Sequence, residues 1–232
     1  WRPHRDEYIT CLLRRAGCLG ANEEVCRVCK ARRPTARCKE CFGDDLLCSP
    51  CLVDRHTENP LHHVEIWDGN FFVQSSLKKL GLRVQLGHPV HDRCPEPHPA
   101  NGEFIVLHKN GIHDVAVDLC DCENAQQAGA PEIQLLRAGW FLATDDKPKT
   151  CTTIDMLDDF LIQTLQSTVT MYDYHAALEK LTDNATGDKP PDRYHAFLRM
   201  AREYGHLLML KWAGKGHDLE GVAGTQQGEL AI

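Results

Sequence analysis

Cys26-Arg27-Val28-Cys29, Cys38-Lys39-Glu40-Cys41 and Cys48-Ser49-Pro50-Cys51, followed by His56 and the pair His62-His63, form the stretch that decides the fold. A Cys-x2-Cys pair at a tight turn aims both sulfurs at one point, which is half of a tetrahedral zinc site. Three such pairs with two of the histidines supply eight ligands, enough for two closed sites. Sulfur and imidazole select zinc over calcium or magnesium, which take oxygen ligands. Disulfides are the competing use of these cysteines, but no apolar signal segment or other mark of secretion is read in the chain. A thioredoxin-like redox motif needs one pair near a strand–helix unit, not three in succession.

The spacers are short, eight residues between Cys29 and Cys38 and six between Cys41 and Cys48. Interleaving is therefore easy. Cys26, Cys29, Cys48 and Cys51 would share one ion, and Cys38, Cys41, His56 and a late histidine the other. That cross-braced order is the one RING and B-box fingers use, and the spacing resembles a B-box. A sequential arrangement of the pairs is the alternative. The late histidine is chosen by parity, since residues 62–66 alternate as a half-buried strand does. His62 shares a face with Val64 and Ile66 and is expected inward, with His63 an exposed neighbour beside Glu65.

The 232 residues can hold one large domain or two small ones. With 42% hydrophobic and 25% charged residues, the composition is that of a globular chain and excludes a disordered one. No run of about eighteen apolar residues exists, so no membrane-spanning helix is expected. The chain begins at Trp1 rather than Met, which points to a segment of a longer protein. Net charge is −7, split as +3 over residues 1–56 and −10 over the remainder. A uniformly basic nucleic-acid binder is excluded. Phosphate contacts are expected, if anywhere, at the zinc end, from Arg32, Arg33 and Arg37 among the cluster that includes Arg27, Lys30 and Lys39. Solvated loop charges are the plainer reading of the same residues.

The pattern predicts an α+β protein in four segments. Residues 1–66 hold a helix over 6–15 and the small zinc module, with Cys11 and Cys18 as plain thiols. Residues 67–150 form a β-rich middle, 151–215 a helical region and 216–232 a Gly-rich tail. In the middle, a turn over 67–70 leads to a helix over 71–80 ended by Gly81, then a strand through Leu82, Val84 and Leu86. A hairpin follows, running out over 104–107, turning at Asn110-Gly111 and returning over 112–119. Residues 133–143 read as a further strand. Three helices are expected after Thr153. The first has Ile154, Leu157, Phe160, Leu161 and Leu165 on one face, the second starts at Thr170 with Asp173, and the third starts at Pro191.

The return strand ends in Cys120-Asp121-Cys122, and residues two apart on a strand share a face. Cys120 and Cys122 with His88 and Cys94 from the preceding loop therefore make a third candidate zinc site. His113 has the opposite parity and is expected to face away. Unligated thiols in a core are the alternative.

Further residues carry a family resemblance. Cys38 to Cys51, then Arg55-His56, Asn59-Pro60-Leu61-His62 and Glu65-Ile66-Trp67-Asp68-Gly69, resemble the CxC-type cysteine cluster domain. That domain accompanies the KDZ (Kyakuja–Dileera–Zisupton) transposases of fungi. Ser76-Leu77-Lys78, Gln85-Leu86-Gly87-His88, Asn110-Gly111-Ile112-His113, Gln134-Leu135-Leu136-Arg137, Leu181-Thr182-Asp183-Asn184 and Asp192-Arg193-Tyr194 fit as well, and His62, His88 and Cys94 match the family pattern. The resemblance implies a nuclear, zinc-bound accessory region of a cut-and-paste DNA transposase, contributing to DNA binding or transposase assembly. Its catalytic acidic residues would lie in a nuclease domain outside this sequence. The alternative is a B-box-like interaction module that binds proteins or itself without DNA affinity. No enzyme activity, membrane or small-molecule substrate is expected. A two-metal nuclease needs carboxylates converging from separate elements, and Asp114, Asp118, Asp121, Asp145, Asp146, Asp158 and Asp159 show no such convergence in the sequence.

Overall fold

Charge at both ends favours the first helix. In the computed structural model, which describes residues 1–17, 24–43, 45–183 and 190–217, helix α1 spans Arg5–Ala16. Asp6 and Glu7 lie in its first turn and Arg14 and Arg15 in its last, each where the helix dipole is complemented. Its apolar residues do not reach a core, and Tyr8, Leu12 and Leu13 are exposed. Cys11 is an exposed thiol; Cys18 lies outside the described residues.

The described chain divides into two compact units, residues 1–105 with 113–134, and residues 106–112 with 135–232. It passes between them within a hairpin and within one short helix.

In the first unit, β1 (Ala36–Cys38), helix α2 (Ser49–Arg55), β2 (Val64–Trp67) and β3 (Phe72–Ser75) build the cysteine-rich module. The strands pair antiparallel in the order β1-β2-β3, with Cys38 opposite Val64 and Val64 opposite Ser75. The helix expected over 71–80 is replaced by β3. Asp68 accepts the N–H groups of Asn70 at 2.8 Å and Phe71 at 2.9 Å, and Gly69 takes a φ of +115°. That turn reverses the chain and sends Phe72 back against Trp67, ring centroids 5.0 Å apart. The core beneath is small: Ala36, Leu47, Leu52, Val64, Leu77 and Leu82, closed by Cys26 and Cys48.

Further along come β4 (Val84–Gln85), β5 (Pro97–Pro99), β6 (Phe104–His108), β7 (Gly111–Val115) and β8 (Val117–Cys120). The hairpin forms as β6 and β7. Its return strand, expected to run unbroken to Leu119, is interrupted at Ala116. Beyond the break, β8 lies between β4, to which it is parallel, and β5, to which it is antiparallel. All four residues of β8 are buried, as befits a strand covered on both faces. The charge of Asp118 within it is met by Arg83, whose Nε donates to Oδ2 at 2.7 Å.

Short helices α3 (Ala125–Ala128) and α4 (Pro131–Arg137) follow. The strand expected over 133–143 is thus two elements, α4 and then β9 (Trp140–Leu142). Pro131 and Glu132 suit a helix start, and Gly139, at a φ of +77°, separates helix from strand.

In the second unit β9 pairs antiparallel with β10 (Thr150–Thr153), and the sheet order is β7-β6-β10-β9. Helices α5 (Ile154–Gln166), α6 (Met171–Thr182) and α7 (Tyr194–Trp212) complete it. Phe160 meets Phe197 and Tyr174 edge-on, with centroids 5.1 Å and 5.2 Å apart. Leu157 and Phe160 are buried as their spacing predicts, whereas Leu165 is exposed. The third helix starts at Tyr194, after Pro191, with Asp192 accepting the Tyr194 N–H at 2.9 Å. Thr170 caps α6 by accepting the N–H of Asp173 at 3.1 Å. Thr170→Ala is expected to lower unfolding stability by about 1 kcal/mol in denaturant titration.

Candidate metal centres

Helix α2 links two of the cysteine groups. Cys48 is its N-cap and Cys51 lies in its first turn, while His56 follows its last residue. At about 1.5 Å rise per residue the helix is about 10 Å long, so its two ends serve separate sites. At the first, Cys26 and Cys29 join Cys48 and Cys51. At the second, Cys38 and Cys41, from the end of β1 and the turn after it, meet His56 and His62. In each group the ligand atoms all lie within 4.8 Å of one another. The order is interleaved, not sequential.

The spacings suit tetrahedral zinc. Bond lengths of about 2.3 Å to sulfur and about 2.0 Å to nitrogen put neighbouring ligands roughly 3.5–3.8 Å apart. Cys29 Sγ and Cys48 Sγ are 3.6 Å apart. His62 Nδ1 lies 3.4 Å from Cys38 Sγ and 3.6 Å from Cys41 Sγ, and His56 Nε2 lies 3.4 Å from Cys41 Sγ. His56 Nδ1 is 2.7 Å from the Leu52 carbonyl, to which it donates. That bond leaves the lone pair on Nε2, the atom facing the sulfurs.

The electrostatics suit a cation as well. Burial alone would push the Cys26 thiol up, but the backbone N–H groups of Cys48, Cys29 and Val28 outweigh it and hold its pKa at about 6. Burial pushes Cys38 up to about 12, and the hydrogen bond with Cys48 raises Cys51 to about 12. Crowded sulfurs cannot all ionise together unless a cation sits among them. Burial lowers His56 and His62, keeping both imidazoles neutral, the form that ligates metal.

His63 departs from expectation. It is buried, its Nδ1 lies 2.7 Å from Glu40 Oε1, and its backbone N–H donates to Glu40 Oε2 at 2.8 Å. Strand β2 begins only at Val64, so the alternation does not extend back to His63. Glu40, inside the second Cys-x2-Cys pair, thereby ties the turn holding Cys38 and Cys41 to the segment holding His62. The sequence offers no pattern that would single it out.

A third group joins His88, Cys94, Cys120 and Cys122, again within 4.8 Å. Cys120 Sγ and Cys122 Sγ are 3.4 Å apart, and His88 Nε2 lies 3.3 Å and 3.4 Å from them. Burial opposes the Cys94 thiolate, but the N–H groups of Glu96 and Asp121 prevail and hold its pKa at about 7. Burial pushes Cys120 up to about 11. His113 faces elsewhere, its ring 4.7 Å from that of His63.

Comparison with known families bears on this third group. Residues 77–186 match the family model of the CxC2-like cysteine cluster associated with KDZ transposases. The matched segment contains His88, Cys94, Cys120 and Cys122, and the first two cysteine groups precede it. No curated protein and no solved structure matches the chain.

Within the CxC2-like segment, Gln134 fastens the third group. Its Oε1 accepts the Cys120 N–H at 2.8 Å, while its Nε2 donates to the carbonyls of Cys120 at 3.1 Å and Gly129 at 2.9 Å. Sequence reading gave it no such role because residues 133–143 read as a strand, whereas Gln134 lies on α4. Gly87, at a φ of +77°, lets the chain run against Cys120 and Gln134 just before His88.

The expected phosphate contacts divide. Arg32 and Arg33 are exposed. Arg37 is engaged within the protein: its guanidinium stacks 3.5 Å from the centroid of Phe72, its Nε donates to Glu65 at 2.9 Å, and its Nη1 donates to the Arg15 carbonyl at 2.7 Å. An arginine on an edge next to aromatic and acidic neighbours is drawn inward, which charge counting does not reveal. Arg27 pairs with Asp45.

Proposed function

We propose that this chain is a zinc-stabilised, non-catalytic accessory region of a KDZ-type DNA transposase. It would act in the nucleus by helping the enzyme to hold DNA or to assemble. The observation that carries this reading is the CxC2-like match across the third of three four-ligand Cys/His groups. Four protein ligands leave no position for a reacting water, which favours scaffolding over hydrolysis.

Four of the seven carboxylates weighed for metal-dependent cleavage are engaged otherwise. Asp114 pairs with Lys78, and Asp118 with Arg83. Asp158 accepts from the Tyr204 hydroxyl and Asp159 from the Tyr174 hydroxyl, each at 2.7 Å. We therefore assign DNA cleavage to a nuclease domain of the parent enzyme.

Fluorescence anisotropy with duplex DNA, using the zinc-loaded chain, tests the DNA part. Binding is expected at low salt and should weaken as salt rises. Replacing Arg32 and Arg33 together should shrink the slope of log affinity against log salt by about two, at about 0.9 per phosphate contact. Absence of binding at low salt would remove that role. A second reading, assembly without DNA affinity, is favoured by the net −10 beyond residue 56 and by the exposed apolar residues of α1. Light scattering would then show a discrete oligomer.

A further inference from the structure

A different group of ligands lies in the second unit. His175 and Glu179 sit four residues apart on α6, hence on one face of the helix, and Asp192 approaches from the segment ahead of α7. One ligand atom from each lies within 4.8 Å of the others.

The histidine is the informative member. Its side chain is only 5% exposed, and its Nε2 has no hydrogen-bond partner. Its Nδ1 faces Glu179 Oε1 at 3.7 Å, beyond hydrogen-bond distance but close to the separation of two ligands on one ion. The Tyr194 ring packs on it edge-on, at 5.9 Å between centroids, and Nε2 is left without a polar partner. Buried imidazoles ordinarily have one.

Arg193 donates its Nη1 to the Asp192 backbone carbonyl at 3.0 Å, not to a carboxylate. Among the described residues no lysine or arginine forms an ion pair with Glu179 or Asp192. Two carboxylates this close repel unless one is neutralised or a cation joins them. Asp192 is already oriented, because its Oδ1 accepts the Tyr194 N–H.

We propose that His175, Glu179 and Asp192 form a thiol-free binding site for a divalent transition-metal ion such as zinc. One imidazole nitrogen and two carboxylate oxygens suit zinc or manganese better than calcium, and they balance a 2+ charge. Three protein ligands leave a coordination position for water, and the exposed Asp192 opens that position to solvent. This site would thus differ in chemistry from the closed, thiolate-containing groups, and it would withstand thiol oxidation.

Native mass spectrometry of the full chain, equilibrated against zinc, tests the proposal. The readout is the difference between wild type and two rim variants, Glu179→Gln and Asp192→Asn, so it does not depend on how many cysteine groups fill. Each variant should bind one zinc fewer, or bind that last ion at least about tenfold more weakly. His175→Ala should show the same loss, but as a buried change it is secondary to the rim pair. Equal zinc content in wild type and both rim variants would overturn the proposal.

Discussion

Cys48→Ser should release at least one zinc ion and unfold the N-terminal module. Cys48 is buried, lies 3.6 Å from Cys29 Sγ and is the N-cap of α2, so its loss opens the first group and frees the start of that helix. The same helix carries the core residue Leu52 and leads into His56 of the second group, so damage at one centre spreads to the other. Structural zinc contributes about 10–16 kcal/mol in comparable small fingers, against about 5–15 kcal/mol for whole-domain stability. The apolar cluster beneath the module is too small to make up that loss. Zinc content by mass spectrometry and amide exchange across residues 24–75 would report it, and a strong chelator on the wild-type chain should reproduce the pattern. Retained zinc and unchanged exchange in Cys48→Ser would contradict this account.

Gly87→Ala should have the next largest effect. A Cβ there would sit 2.5 Å from Cys120 Cβ, 2.9 Å from Gln134 Oε1 and 3.0 Å from Ala128 Cβ. None of these can yield cheaply, since Cys120 belongs to the third group and Gln134 is bonded to its backbone. The positive φ adds about 1–2 kcal/mol and the overpacking about 1–3 kcal/mol, so a loss of about 2–5 kcal/mol in denaturant unfolding is expected. Zinc content should fall with it if the shift moves Cys120. Gly81→Ala is the control: its φ is also positive, at +102°, but a Cβ there meets nothing within 4 Å. The two variants should therefore differ by the crowding alone, and equal losses would show that crowding at Gly87 is absorbed.

Local chemistry was legible where it acts over a few residues. Thr153 and Thr170 announced two helices because an N-cap and the apolar face behind it are neighbours in sequence. Periodicity failed where the neighbouring structure, not the apolar spacing, sets the element. Residues 72–75 form a strand because β2 lies beside them, and residues 131–137 form a helix though their apolar content suits either form. The break at Ala116 has the same origin, since β8 is placed by β4 and β5, both far from it along the chain.

What the sequence determined by itself was which cysteines present paired sulfurs, with the interleaved grouping as one of two arrangements. A Cys-x2-Cys turn presents two sulfurs at one point whatever surrounds it, and short spacers between such turns leave few ways to combine them. Only the tertiary structure decided what surrounds those groups: Glu40 against His63, Gln134 against Cys120, and Arg37 folded onto Phe72. It alone also brought Asp192 to His175 and Glu179. These contacts join residues with no shared period or motif, and they form because each buried polar group must find a partner wherever the packed chain offers one.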